Sequence, residues 1–372
     1  MKWIQLSRMT PETWEEPRYL IVYTTQPYEA LPIAALRERF PELVIMGVSS
    51  HHGIFTSDGF KRGSFGVLFE GSDDHRLNVR LIQVETSAAA RQKVVDCIQG
   101  MPALSTPKRQ FMINATPGFE ERILEGFSDV FGDDVDVYGG SAGNDRFLDM
   151  PYIFLNEEMS TKGVLICEMS EYSVCNSTTM AGYLLTQKRG VVTRAAGRRI
   201  YEIDHRLATE VYDAWTDNMF TDIIKAGATF PRSAARFPLG RILEKDTAFE
   251  VWLTHVYGVE NNALCVYSEI AEGTEVCLMR GSRERIFENL KRSVELSLNG
   301  VDRTKVRGAF LNLCAGCMNL ISENMEQFNQ AVCDAFGNIP LLGFSSCGEQ
   351  GTLPNESCHQ HGNMMVNITL LK

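Results

Sequence analysis

The segment Asn338–Gln350, NIPLLGFSSCGEQ, carries a short apolar strand into a glycine turn, two hydroxyls, a thiol and a carboxylate. Two other segments repeat the pattern, PELVIMGVSSHHG (Pro41–Gly53) and DVDVYGGSAGND (Asp134–Asp145). In all three an apolar strand ends in Gly-x-Ser, with Gly47 and Ser49, Gly139 and Ser141, and Gly343 and Ser345 in the same place. Such a loop at the carboxyl end of a strand is where an open α/β sheet binds its ligand.

The flanking sequence repeats as well. Tyr19–Thr24, Phe111–Ala115 and Gly308–Leu313 read as strands. Helical spacing follows in Glu29–Phe40, Phe119–Phe131 and Ser322–Phe336, and strands return at Leu43–Val48, Val135–Tyr138 and Ile339–Leu342. Arg18, Arg109 and Arg307 each precede the first strand. Arg18 to Phe40 and Arg109 to Phe131 are both 22 positions, and Phe40 and Phe336 each lie seven before their glycine. Every copy closes on a Gly-led strand, at Gly63, Gly163 and Gly362. The chain therefore reads as an α/β protein of three repeated strand–helix–strand units forming mixed sheets. Thr86–Ile98 adds a helix between the first two copies.

The region between the second and third copies differs. Ser173–Leu185 and Gly190–Arg194 look like sheet, and Ile203–Trp215 like a helix with Asp204 as N-cap. Asn218–Arg241, with Pro231 and Pro238, is the least regular stretch and reads as a linker or lid. Phe249–Val256, Leu264–Ile270 and Glu275–Arg280 return to strands. Ser282–Leu298 is a charged amphipathic helix stopped at Asn299-Gly300, best read as a solvated outer face.

Composition narrows the function. The chain has 372 residues, 44% hydrophobic and 22% charged, with a formal net charge of −11. That is ordinary for a globular protein and wrong for a nucleic-acid surface. No apolar run approaches the ~20 residues that span a membrane, and the N-terminus is not a secretory signal. The expected location is the cytoplasm, with the ten cysteines reduced.

The three Gly-x-Ser loops bring free N–H groups and hydroxyls together, a nest suited to a carboxylate or phosphate. Gly47, Ser49, Ser50, Gly139, Gly140, Ser141, Gly343 and Ser345 are the expected ligand-binding residues, with Asn144, Asp145 and Glu349 as polar anchors and Cys314 as a pocket-liner. Tight turns alone would also explain the glycines and serines. GGSAG matches the letters of a nucleophile elbow, but it leads into a polar loop, so no enzyme activity is expected. Cys314-Ala315-Gly316-Cys317 has the setting of a redox pair. With Cys347, Cys358, His359 and His361 it could bind zinc or an iron–sulfur cluster, and the alternative function is then a thiol- or metal-dependent enzyme.

The ordered series of motifs resembles the FIST family, with an N-terminal segment over residues 18–200 and a C-terminal one over 201–372 sharing a cleft. The matching residues are Gly139–Asp145, Val191–Tyr212, Phe237–Gly240, Glu272-Gly273, Gly343-Phe344 leading to Gly348-Glu349, and Asn367–Thr369. The resemblance implies a sensory module that binds a small ligand and signals through a partner protein. One branch is similar to haem-binding nitric-oxide sensors that regulate a histidine kinase. If haem binds, His255, His51 and His52 are the candidate ligands, and attachment is non-covalent because no Cys-x-x-Cys-His occurs. Two departures from the family pattern stand out. Cys317 occupies a place where the family often has arginine, which argues against an amino-acid carboxylate as ligand. Gln350 stands where an aliphatic residue is usual.

Overall fold

The computed structural model describes residues 1–71, 77–102, 108–132, 134–144, 150–169, 176–242, 251–353 and 359–372. Three units follow the repeat. The first runs β1 (Lys2–Gln5), β2 (Pro17–Thr24), α1 (Ile33–Arg39), β3 (Val44–Ser49), β4 (Ile54–Thr56), β5 (Gly59–Lys61) and β6 (Ser64–Glu70). The second runs β7 (Leu77–Gln83), α2 (Ser87–Gln99), β8 (Arg109–Ala115), α3 (Glu120–Phe131), β9 (Val135–Ser141), β10 (Ile153–Leu155), β11 (Glu158–Ser160) and β12 (Gly163–Met169).

After these come β13 (Asn176–Ala181) and an inserted region. It holds β14 (Leu184–Ala196), β15 (Arg199–Ile203), β16 (Arg206–Leu207), α4 (Ala208–Trp215), α5 (Thr221–Ala226), β17 (Leu239–Ile242), β18 (Val251–Thr254), β19 (Val256–Glu260), β20 (Ala263–Val266) and β21 (Glu275–Arg280). The third unit closes the chain with α6 (Arg283–Ser297), β22 (Gly308–Cys314), α7 (Ala315–Ile321), α8 (Met325–Phe336), β23 (Leu341–Ser346), β24 (Glu349–Gly351), β25 (Gln360–Gly362) and β26 (Met365–Leu371).

The units build three six-stranded sheets of one design, β1-β6-β2-β3-β10-β11, β7-β12-β8-β9-β24-β25 and β13-β26-β22-β23-β4-β5. In each, two parallel strands of one unit (β2 and β3, β8 and β9, β22 and β23) are flanked by that unit's antiparallel closing strand. The two outermost strands are a hairpin lent by another unit. Unit 2 lends β10–β11 to unit 1, unit 3 lends β24–β25 to unit 2, and unit 1 lends β4–β5 to unit 3. This cyclic exchange gives the molecule a pseudo-threefold axis.

Alternation along the strands sorts the core. One set of faces, with Tyr23, Val48, Met112, Tyr138, Phe310 and Phe344, meets in a shared central cluster. The opposite faces pack under their own helices: α1 residues Ile33 and Leu36, α2 and α3 residues Val94 and Phe127, and α6 and α8 residues Leu290 and Phe328. The inserted region forms a further eight-stranded sheet, β18-β17-β21-β14-β15-β20-β19 with β16 beside β15, and its core takes in residues of α4 and α5.

Several expectations need correction. The helix read from Ile203 begins at Ala208. Asp204 and His205 instead form the β15–β16 turn at φ 50° and 58°, and Asp204 accepts a hydrogen bond from Val191 N. The linker-like stretch contains α5, a 3₁₀ turn over Arg232–Arg236, and β17. In the third unit an unforeseen helix, α7, follows Cys314, and the main helix starts at Met325. The first helix is shorter than its spacing suggested, because Tyr28–Ala30 is 3₁₀ and Pro32 is its N-cap.

Candidate functional site

The three Gly-x-Ser loops do meet, and they close on one another. Gly143 N donates to Ser49 O, Cys347 N to Ser141 O and His51 N to Ser345 O, each at 2.9 Å. Each serine carbonyl thus accepts from the residue two past the next unit's serine, a closed ring around the pseudo-threefold axis. Ser49, Ser50, Ser141, Ser345 and Ser346 are wholly buried. The motif glycines are not at positive φ. A Cβ there would sit 2.3, 1.8 and 2.5 Å from the carbonyl oxygens of Val22, Ile113 and Leu311 on the neighbouring parallel strand. Glycine is required at all three for close strand approach.

Symmetry breaks at one place. Opposite the motif glycines lie Phe154 against Gly47, Phe55 against Gly343, and Gln350 against Gly139. Their cross-strand partners are Met159, Phe60 and His361. Two exchange interfaces are therefore plugged by apolar pairs, with the Phe55 and Phe60 rings 4.6 Å apart. The third carries an amide and an imidazole. One residue earlier the hairpins have Ile54 and Ile153, and the third has Glu349.

Gln350 and Glu349 point to opposite faces of β24 and head two polar groups. Gln350 Nε2 donates to Ser141 Oγ at 2.9 Å and lies 3.1 Å from His361 Nδ1. Ser141 Oγ donates to Glu120 Oε1 at 2.7 Å, and Arg198 Nη2 bridges Glu120 and Glu121 at 2.6 Å each. His361 Nε2 stands 3.9 Å from Glu120 Oε1 and 3.3 Å from Tyr267 O. Burial alone would raise the Glu120 carboxyl. The charges of His361 and Arg198, with hydrogen bonds from Ser141 and Arg198, outweigh it and hold the group at about 2. On the other face, burial pushes Glu349 up to about 8, against hydrogen bonds from Ser346 Oγ (2.6 Å), Met365 N (3.1 Å) and Cys314.

The first group opens on a cavity of about 390 Å³. Glu121 and Glu125 of α3, Gly197 of the β14–β15 turn, Arg241 of β17, Glu269–Glu272 of the segment before β21, and His359–His361 around β25 line it. Arg122 pairs with Glu125 and Glu269, and Glu269 N donates to Glu121 Oε1 at 2.8 Å, tying the inserted region to α3. A polar cleft with buried charges of shifted affinity has the hallmarks of a binding site.

The expected residues fall in several places. Ser141 and Glu349 belong to the symmetry-broken interface. Gly47, Ser49, Ser50, Gly139, Gly140, Gly343 and Ser345 belong to the loop ring and its strands, and none of them lines this cavity. Asn144 is half-buried, with its carbonyl against His51 Nδ1. Asp145 lies outside the described residues. Cys314 is buried beside Glu349, and burial raises its thiol well above the ordinary range.

His51 and His52 rings pack at 3.8 Å, and His255, pushed down to about 4 by burial, lies 5.6 Å from the Tyr267 ring. None of the three is among the residues that line the cavity beside Glu121 and His361. Among the described residues no group of three His, Cys, Asp or Glu is placed to hold a metal ion, and Cys358 lies outside them. Residue reasoning missed Glu120, Glu121 and Arg198 as site residues. A comparison of the three hairpins, GIFTSDGFK, YIFLNEEMS and GEQG with QHG, would have flagged Gln350 and His361.

Comparisons with known proteins follow the same division of the chain. A search of curated proteins gave no match. Among solved structures, a chorismatase crystal structure aligns over 100% of this chain and 97% of that one, at 10% identity and a TM-score of 0.36, and this likeness carries no argument. The family profile described as FIST N domain matches residues 18–206, and FIST C domain matches 208–352. FIST domains are small-ligand sensory domains of signal transduction. The chain belongs to the FIST family, as an N-terminal and a C-terminal FIST domain in sequence.

Proposed function

We propose that the protein is a cytoplasmic sensor that binds its small ligand in the cavity between α3, the β14–β15 turn and β25, and signals by contact with a partner such as a histidine kinase. The observation that carries this reading is the replacement of the apolar pairs Phe55–Phe60 and Phe154–Met159 by Gln350–His361 at one of three equivalent interfaces. A purely structural interface has no reason to exchange an apolar plug for buried polar groups, which cost stability unless used. Binding without turnover is supported by Ser141. Its hydroxyl is buried and donates to Glu120, whose carboxylate is held at about 2 and is a poor base for taking the serine proton. Eight cysteines without a disulfide among the described residues support a reducing location.

The test restores the plug. The double variant Gln350→Phe/His361→Phe, and the smaller change Gln350→Leu, should fold yet lose every thermal shift that the wild type gives with a panel of amino acids, amines and small carboxylates. Unchanged shifts in both variants, or a folded wild type silent to the whole panel, would sink this reading.

A further inference from the structure

We propose that His361 is a proton-operated switch, in which uptake of a proton at Nδ1 turns the Gln350 amide and moves the Ser141 hydroxyl off Glu120. The switch needs no ligand in the cavity, only the hydrogen bonds around the ring. Two neighbours of His361 call for different states of its imidazole. Gln350 Nε2 lies 3.1 Å from Nδ1 and 2.9 Å from Ser141 Oγ, and the Ser141 hydroxyl donates to Glu120 Oε1 at 2.7 Å. Both amide hydrogens are thus donated, and Nδ1 must be bare to accept one. That selects the neutral ring, with its proton on Nε2 facing Tyr267 O at 3.3 Å. Glu120 Oε1, 3.9 Å from Nε2, selects the charged ring. The neutral arrangement also leaves Gln350 Oε1, in a fully buried side chain, with no hydrogen-bond partner among the described residues, an acceptor whose isolation costs free energy.

A second proton on Nδ1 sets N–H against N–H. Half a turn of the amide about its last side-chain bond removes the clash and gives Oε1 the imidazolium as donor. Ser141 Oγ then faces Oε1, so its hydrogen moves from Glu120 to the amide. Glu120 exchanges a hydroxyl for a full charge. Ser141 also belongs to the loop ring, its N donating to Gly348 O at 2.8 Å and its O accepting from Cys347 N at 2.9 Å, so the change reaches the joint between units 2 and 3. Charges face the imidazole from several elements. Glu120, Glu121 and Glu125 stand on α3, with Glu269 and Glu272 in the segment before β21. Against them are Arg198 of the β14–β15 turn, Arg122 of α3 and Arg241 of β17, whose Nη2 donates to His361 O at 3.0 Å. Tyr267, Cys347 and His359 lie beside the ring, and Glu349 lies on the far face of β24. Carboxylates outnumber guanidiniums, which favours the proton, and the cavity that His361 lines gives the proton a path from solvent.

Nitrogen-15 NMR of the uniformly labelled intact protein tests this, with the His361 ring assigned by its loss in His361→Gln. At the alkaline end of the titration the ring should carry its proton on Nε2, with Nδ1 bare. As pH falls the ring should gain a second proton, and the Gln350 side-chain amide and the Ser141 backbone amide should shift with the same midpoint. Both shifts should vanish in His361→Gln. In Gln350→Met the ring should still titrate, and the Ser141 amide should no longer follow it. A neutral ring protonated on Nδ1, or a ring that keeps one charge state between about pH 5 and 8, overturns the proposal. So does a Gln350 amide that stays still while the ring titrates, or a Ser141 shift that survives in His361→Gln. The tautomer and the matching midpoints are read on the wild type, so they decide the matter even where a variant fails to fold.

Discussion

Glu120 and Glu349 are two carboxylates buried alike and driven in opposite directions, and the difference lies in their neighbours. Glu120 has a guanidinium, an imidazole and a hydroxyl, so it stays charged. Glu349 has a hydroxyl, an N–H and thiols, none of which balances a charge. The unfolded chain releases the Glu349 proton near 4.5, and the folded chain holds it to about 8. The folded state therefore binds more protons in that window, and stability falls as pH rises through it. Glu349→Gln, a near-isostere of the neutral acid, should remove the fall, so that denaturant midpoints of variant and wild type diverge from pH 5 to pH 8 by on the order of a few kcal/mol. Parallel curves would refute the assignment. Glu120 has the opposite sign. Its contribution is present above about 4.5 and lost as pH falls toward 2. Glu120→Gln should be destabilised by about 1.5–3 kcal/mol at neutral pH, because Arg198 keeps Glu121 but loses the second carboxylate it bridges, and it should be the less acid-sensitive of the two proteins.

At the scale of elements, the strand–helix–strand units were legible because each is local: an apolar strand, a 3.6-period helix and a second strand within about 30 residues. Arg109–Ala115, Glu120–Phe131 and Val135–Ser141 fall where the pattern puts them. The exchanged hairpins were not legible. Three-residue strands such as Ile54–Thr56 carry almost no periodicity, and their partners lie some 290 positions away at Leu342–Phe344. The same gap hid the site. Glu120 looks like an ordinary acidic first-turn helix residue until β24–β25 is seen to lie against β9. The Gly-x-Ser repeat is legible in the sequence, but its glycines read there as a ligand nest or tight turns, whereas in the fold they permit close strand approach. Gly47→Ala should therefore cost about 1–3 kcal/mol or more in urea unfolding, since its Cβ would fall 2.3 Å from Val22 O, a backbone atom that cannot step aside alone. A loss under half a kcal/mol would mean the strands have slack there.

For the whole molecule, the two family domains are divisions of sequence and not separable bodies. Residues 18–206 contain unit 2 and unit 1 from β2 on, yet β9 is completed by β24–β25 and β4–β5 pair with β23, and β23, β24 and β25 all lie beyond 207. The ring of loops joins the same partners, with His51 N on Ser345 O and Cys347 N on Ser141 O. The candidate cavity is likewise walled by α3 from the N-terminal domain, by Glu269–Glu272 from the C-terminal one, and by β25 beyond it. A fragment of residues 1–206 would expose the free edge of β9, the unpaired β4–β5 hairpin and the part of the central cluster that Phe310, Leu342, Phe344 and Leu371 pack against. We expect it to aggregate or to lack a cooperative unfolding transition when made alone, and to fold only when residues 207–372 are co-expressed. In the intact chain the amides of His51, Gly143 and Cys347 should exchange together, with the protection of global unfolding, because each sits in a ring that opens only when all three units part. Independent folding of the N-terminal fragment, or exchange at Cys347 far faster than at His51, would show that the exchange of hairpins does not bind the domains into one cooperative unit. The sensor would then have to relay ligand binding across a hinge and not through a single shared core.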